Sequence, residues 1–197
     1  MRTLIVYANY KENSFTSAIK DQVAETFHQN GHEVVIRNLY EIKFNPVLTK
    51  NDLESIENEI FPVDIMNEQK FIQWADLICF VYPIWWSGMP AILKGYLERV
   101  LVMGYAFEFK GDDVIPKLTN KKVAIFNSTG NKKVYKNEKH LEALNIITRE
   151  AIFGFCGMKV IEHKYYQCCD KNNSVEVEKI MDDIKTTVET ILKNNNF

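Results

Sequence analysis

The chain has 197 residues, of which 46% are apolar and 25% charged, with a formal net charge of −2. This suits one domain with a sizeable core, spanning residues 1–197. Lysines and aspartates are scattered rather than blocked, which speaks against a nucleic-acid patch or a polybasic anchor. Apolar runs fall short of the roughly 20 residues that span a bilayer, so stable membrane insertion is not expected.

Strand and helix signals alternate along the chain. The run at 3–8 (TLIVYA) reads as a first strand, and 14–29 as a helix with Phe15, Ala18, Ile19, Val23 and Phe27 on one face. Asn30-Gly31 supplies its stop. A second strand follows at 33–39, then a long stretch from Tyr40 to Asn67 that holds Pro46, Pro62 and a weak helical pattern around 50–60. A loop of that length in a compact domain is usually functional or an excursion. The apolar run 76–82 is the third strand, and Pro90 opens a helix that carries Ile92, Leu93, Leu97 and Val100 on one face. Segments 122–128 and 158–166 are further strands, with amphipathic helices at 138–153 and 174–193. Alternation of this kind predicts parallel pairing through right-handed crossovers. Five such units fit the α/β flavodoxin-like, doubly wound sheet of order 2-1-3-4-5, with helices on both faces.

Cysteines stand at 79, 156, 168 and 169, with no spacing that suggests a metal site. Reduced thiols are expected. No basic leader or cleavage signal precedes the first strand, so the expected location is cytoplasmic.

Ligands in this topology sit at the carboxyl ends of the strands, near the switch point. Three loops qualify: 9–16, 83–90 and 128–135. The first has neither a GxGxxG fingerprint nor a Walker loop. It clusters Ser14, Thr16 and Ser17 at a helix start, which suits either capping or a phosphomonoester. The second, PIWWSGMP, carries Trp85 and Trp86, which either wall a planar heterocycle or seal the core beneath the helix that follows. The third offers Ser128, Thr129, Gly130 and Asn131 as a polar turn, followed by Tyr135 and His140, each able to donate a proton. A lone histidine at a helix start is as well read as a surface residue. Together, a phosphate pocket, an aromatic wall and a polar edge at adjacent strand ends describe a cradle for flavin mononucleotide (FMN).

The segment WWSGMPAILKGYLERVL closely resembles the signature of the NAD(P)H:quinone oxidoreductase family, flavoenzymes of flavodoxin-like fold. Residues 64–86, the STG turn and GFCGMKVIEH resemble it in the same order, so the likeness runs almost the whole chain. The resemblance implies that Asn9, Ser14, Phe15 and Thr16 hold the flavin phosphate and ribityl chain. Asn9 and Thr16 replace the His and Asn common in larger members. It implies an isoalloxazine seat at Pro83, Ile84, Trp85 and Trp86, and a pyrimidine edge at Ser128, Thr129, Gly130 and Asn131. Tyr135 and His140 match the active-site pair, and Phe107 and Phe109 match aromatics that cover the substrate across a homodimer interface. The short chain favours FMN, while Gln69 leaves FAD open. NADPH or NADH would be the reductant and a quinone, nitroaromatic or azo compound the acceptor, in a ping-pong two-electron cycle. Two other readings are an electron-carrier flavodoxin, against which the weak net charge argues, and a non-catalytic regulatory subunit of a potassium efflux system.

Overall fold

The computed structural model describes residues 1–58, 60–130, 138–167 and 174–194. The chain runs β1 (Arg2–Tyr7), α1 (Phe15–Gln29), β2 (Glu33–Asn38), α2 (Lys50–Glu57), α3 (Val63–Trp74), β3 (Leu77–Pro83) and α4 (Ala91–Val100). It continues through β4 (Phe107–Lys110), β5 (Asp113–Pro116), β6 (Lys122–Thr129), α5 (Glu138–Asn145), a π-helical segment (Ile146–Phe153), β7 (Lys159–Gln167) and α6 (Ser174–Asn194).

Five parallel strands form one sheet in the order β2-β1-β3-β6-β7, the order expected from the sequence. The central strands are apolar on both faces because both faces are covered. Leu4, Val6, Phe80 and Ile125 pack against Leu93, Tyr96 and Leu97 of α4 and against Phe153. Their neighbours Ile5, Tyr7, Val81 and Phe126 pack instead with Ile19, Val23 and Phe27 of α1 and with Ile184 and Val188 of α6. Each strand thus divides its side chains between two cores, as a period of two requires.

The stretch from Tyr40 to Asn67 is an excursion that contains α2 and runs into α3. Its helix α2 begins with a reciprocal cap: the Asp52 N–H donates to Thr49 Oγ1 at 3.1 Å, and the Thr49 N–H donates to Asp52 Oδ2 at 3.0 Å. The excursion is fastened by Arg99 of α4, only 4% exposed. Its guanidinium donates to Asp52 (both bonds 3.2 Å), to Asp64 at 2.6 Å and to the Asn45 carbonyl at 2.9 Å. One helical turn earlier, Gly95 lets the backbone of Pro46 approach so closely that a Cβ would sit 2.1 Å from the Pro46 carbonyl oxygen.

Two further features lie outside the sequence reading. Phe107–Lys110 and Asp113–Pro116 form an antiparallel hairpin apart from the main sheet, turning at Gly111 with φ +63°. The segment read as one helix over 138–153 changes to π-helical winding at Ile146. Cys79 and Cys156 are free and buried, and burial raises both thiols, that of Cys156 to about 11. Cys168 and Cys169 lie outside the described residues. Among the described residues no helix is long and apolar enough to cross a membrane.

Candidate active site

The three loops meet because their strands are adjacent. Tyr7 pairs with Val81, and Pro83 with Ser128. Pairing continues past the strand ends: the Ala8 N–H donates to the Val81 carbonyl at 3.1 Å, and the Ile84 N–H to the Ser128 carbonyl at 2.9 Å. The loops therefore leave the sheet from fixed points.

At the first loop, Ser14 is the N-cap of α1. Its Oγ accepts from the Ser17 N–H at 3.1 Å, and the Ser14 N–H donates to Ser17 Oγ at 3.0 Å. Asn9 Nδ2 also donates to Ser14 Oγ at 3.0 Å, and Asn9 Oδ1 accepts from the Lys11 N–H at 3.3 Å. The loop is thus folded around its own side chains. The cap serves Ser17, while helix geometry gives the N–H groups of Phe15 and Thr16 no carbonyl partner within α1. They sit at the positive end of the helix dipole, a seat for an anion. Capping and anion binding are therefore compatible readings of one loop.

At the second loop, residues Trp85 to Gly88 close a two-residue turn. The Trp85 N–H donates to the Gly88 carbonyl at 3.0 Å, and the Gly88 N–H to the Trp85 carbonyl at 2.9 Å. Both central residues have positive φ, +50° at Trp86 and +56° at Ser87. A type I′ turn demands this, but Asn and Gly are its usual occupants. A bulky side chain there is a conformational outlier, of the kind that collects at ligand sites. The turn separates the two tryptophans. Trp85 lies at its base, its ring 6.1 Å from that of Tyr10, whereas Trp86 is fully exposed at the tip.

At the third loop, Ser128 and Thr129 are buried, and a Cβ added to Gly130 would meet nothing within 4 Å. Thr16 Oγ1 and Ser128 Oγ lie 2.7 Å apart, which locks the start of α1 to the end of β6.

These pieces enclose one cavity of about 320 Å³, lined by Asn9, Ser14, Phe15, Thr16, Pro83, Ile84, Trp85, Ser128, Thr129 and Gly130, ten of the residues singled out in the sequence. Tyr10 and Lys11 line it too. Sequence reasoning passed over both, although a lysine just ahead of a helix N-terminus is itself a signal for an anion. Trp86 is not in the lining, and neither is His140, which is exposed on α5. Phe107 and Phe109 lie on the hairpin, stacked edge to face at 5.6 Å, and Phe107 meets Phe155 at 4.8 Å. Phe107 borders a different depression, and neither ring lines the cavity at the strand ends. Asn131 and Tyr135 lie outside the described residues. Among the described residues no cluster of metal-binding side chains occurs. The cavity fits a ligand with an anionic group at α1, a planar ring against Trp85 and a polar edge near Gly130.

Residues 1–191 match the flavodoxin-like fold family. The chain is 39% identical over 168 residues to an NAD(P)H oxidoreductase of Haemophilus influenzae, covering 84% of this chain and 83% of that one. It is 35% identical over 182 residues to NAD(P)H dehydrogenase (quinone) 1 of Rattus norvegicus, covering 82% of this chain but 66% of the rat protein. Among solved structures it resembles the NAD(P)H:quinone oxidoreductase of Methanothermobacter marburgensis, with a TM-score of 0.83 at 22% identity over 97% of this chain and 98% of that one. The fold, a parallel sheet of order β2-β1-β3-β6-β7 covered by helices, is thus of the flavodoxin-like class. The chain belongs to the flavodoxin-like fold family.

Proposed function

We propose that the chain is a flavin-dependent NAD(P)H:quinone oxidoreductase that uses FMN. The observation that carries this reading is one cavity lined jointly by the start of α1, Trp85 and the turn at 128–130, the seats read for phosphate, ring and pyrimidine edge. The identity to NAD(P)H-dependent oxidoreductases of Haemophilus influenzae and rat supports it. Gln69, the residue that left FAD open, is 5% exposed and donates to the Val100 carbonyl at 3.1 Å; it does not line the cavity. That favours FMN.

Bound flavin supplies hydride chemistry, accepting two electrons from a nicotinamide and yielding them to a quinone or another aromatic acceptor. The Phe15 and Thr16 N–H groups and Lys11 hold the phosphate. Trp85 would cover one face of a bound ring, and the ping-pong order would follow from nicotinamide and acceptor using the other face in turn. Backbone groups at Thr129 and Gly130 steady negative charge at the pyrimidine edge. Tyr135 and His140, the pair that the family resemblance names, are the proton donors in this reading, although His140 on α5 does not line the cavity and Tyr135 lies outside the described residues. A second copy of the chain brings Phe107 and Phe109 over the acceptor, and the dimer works in the cytoplasm.

The test is the visible spectrum of the purified protein, recorded anaerobically before and after NADPH or NADH. A yellow protein that bleaches and recovers its colour with a quinone is the expected result. One that stays yellow is an electron carrier. A colourless protein that takes up neither FMN nor FAD sinks the reading. Tyr135→Phe should slow bleaching while leaving the flavin bound.

A further inference from the structure

Beside the flavin seat lies a second cavity of about 260 Å³, between the ends of β3, β6 and β7 on one side and α5 with the π-helical segment on the other. The two cavities share only Ile84 among their lining residues. Its walls are mostly apolar, with Met89, Leu144, Ile147 and Ile152, yet at its base sit His163 and Tyr165. These two belong to the same face of β7, their rings stacked at 4.3 Å. An eight-residue π-helical stretch is unusual, and such winding is frequent at functional sites.

The hydrogen bonds at this base do not balance. Asn127 Nδ2 donates to the Tyr82 carbonyl at 3.2 Å, which turns Asn127 Oδ1 toward His163 Nε2, 2.7 Å away. Oδ1 has no hydrogen, so Nε2 carries the proton. Burial, with Arg149 nearby, lowers the histidine to about 3, so the ring is neutral and Nδ1 is a bare acceptor. Tyr165 has one hydroxyl hydrogen and two acceptors within reach, His163 Nδ1 at 3.3 Å and Asn145 Oδ1 at 3.2 Å. Whichever it serves, the other has no second donor among the described residues. A ligand that brings one hydrogen-bond donor into apolar walls completes the set.

We propose that this cavity binds a neutral aromatic hydroxyl compound of one or two fused rings, its O–H donated to the His163–Tyr165 pair. Size agrees: an apolar cavity of about 150 Å³ takes benzene, and this one is larger. Lys94, the one cation among the lining residues, is ion-paired with Glu98 at 2.5 Å, and burial at the base disfavours a second charge, so the neutral phenol is preferred over an acid. The site stands apart from the flavin reading, because its residues and its donor shortage do not depend on what fills the neighbouring cavity.

The test is calorimetric titration of the full chain with 2-naphthol, with and without saturating FMN, and with 2-methoxynaphthalene, which has the same rings but no donor. Expected are saturable one-to-one binding of 2-naphthol, at least tenfold tighter than the ether, and unchanged by FMN. In His163→Phe, which keeps a ring against Tyr165 but removes the acceptor, that tenfold preference disappears. Equal affinity of the two compounds for the unaltered protein, no saturable binding, or displacement of 2-naphthol by FMN overturns the proposal. The comparison of the two compounds needs no variant, so it stands even where His163→Phe fails to fold. Failure of the flavin reading shows separately, as a chain that takes up no FMN.

Discussion

The hydroxyl oxygens of Thr16 and Ser128, residues 112 positions apart, lie 2.7 Å from one another in the buried floor of the flavin-type cavity. One belongs to the first turn of α1 and the other to the end of β6. This bond sets the distance between the anion seat and the polar turn, the two ends that a single ligand must bridge. Thr16→Val keeps the shape and strands the Ser128 hydroxyl, at a cost of about 1–3 kcal/mol for an unpaired buried group. We expect a lower unfolding midpoint and FMN retention weakened about tenfold, since 1.4 kcal/mol is a factor of ten. Adding Ser128→Ala should restore most of the stability but not the affinity. Equilibrium denaturation and fluorescence titration separate the two effects.

The glycine at position 95 makes a different kind of demand. Nothing near it in the sequence announces the need, yet a Cβ there would lie 2.1 Å from the Pro46 carbonyl oxygen and 2.5 Å from the Pro46 Cβ. Gly95→Ala should therefore destabilise by about 3 kcal/mol, because backbone must move to admit it. Gly88→Ala is the control: its Cβ would meet nothing closer than the Trp85 carbonyl oxygen at 3.9 Å, an ordinary contact. Urea denaturation of the two variants should give well-separated midpoints; equal midpoints would show that the Pro46 approach is not constrained.

These two sites mark where the sequence could be read and where it could not. The sheet was legible because Leu4 to Ala8, Leu77 to Val81 and Val123 to Phe126 are apolar without interruption, and such short runs between helical patterns have few other uses. The site was legible once those strands were in order, since topology brings loops 9–16, 83–90 and 128–130 together. Of the helices after β2, α2 showed only as the weak helical pattern around 50–60, and α3 was not read as a helix. What fixes α2 is a cap at Thr49 and an ion pair to Arg99, whose partner Asp52 is 47 positions away, and long-range pairs leave no local pattern. Separation of Trp85 from Trp86 was hidden for a related reason. The turn places Trp86 and Ser87 at positive φ against their own preference, so the surrounding structure decides it. Lys11 was overlooked although its position was readable.

That turn yields a prediction of its own. Asn tolerates positive φ far better than Trp, so Trp86→Asn should relieve strain and raise stability by about 1 kcal/mol. Since Trp86 is exposed and outside the cavity lining, FMN affinity should hold. Trp85→Ala, by contrast, removes the wall and should cost at least a factor of ten in affinity, about 1.4 kcal/mol. Loss of FMN from Trp86→Asn but not from Trp85→Ala would reverse the roles that the turn assigns to the two rings.

The last prediction concerns acid. His163 is lowered from 6.5 to about 3, first by burial and then by the charge of Arg149. The unfolded chain takes up a proton near 6.5 while the folded chain does not until about 3, so between those values the unfolded state binds more protons. Stability therefore falls as pH falls through that window, with a slope from this one group approaching about 1.4 kcal/mol per pH unit. Above 6.5 both states are neutral at this residue and the contribution is flat. The lowered carboxylates Asp52, beside Arg99, and Asp76, beside Arg2, also lose stability in acid, but only as pH drops through their range below 3.8. His32, lowered from the same ordinary value by burial and the nearby N-terminal charge, acts in the same direction just below 6.5, so His163 is weighed by the part of the drop that its replacement removes. Denaturation midpoints taken at about pH 7 and about pH 5 should differ markedly in the unaltered chain and much less in His163→Phe. An identical drop in both would mean that another group carries the acid sensitivity.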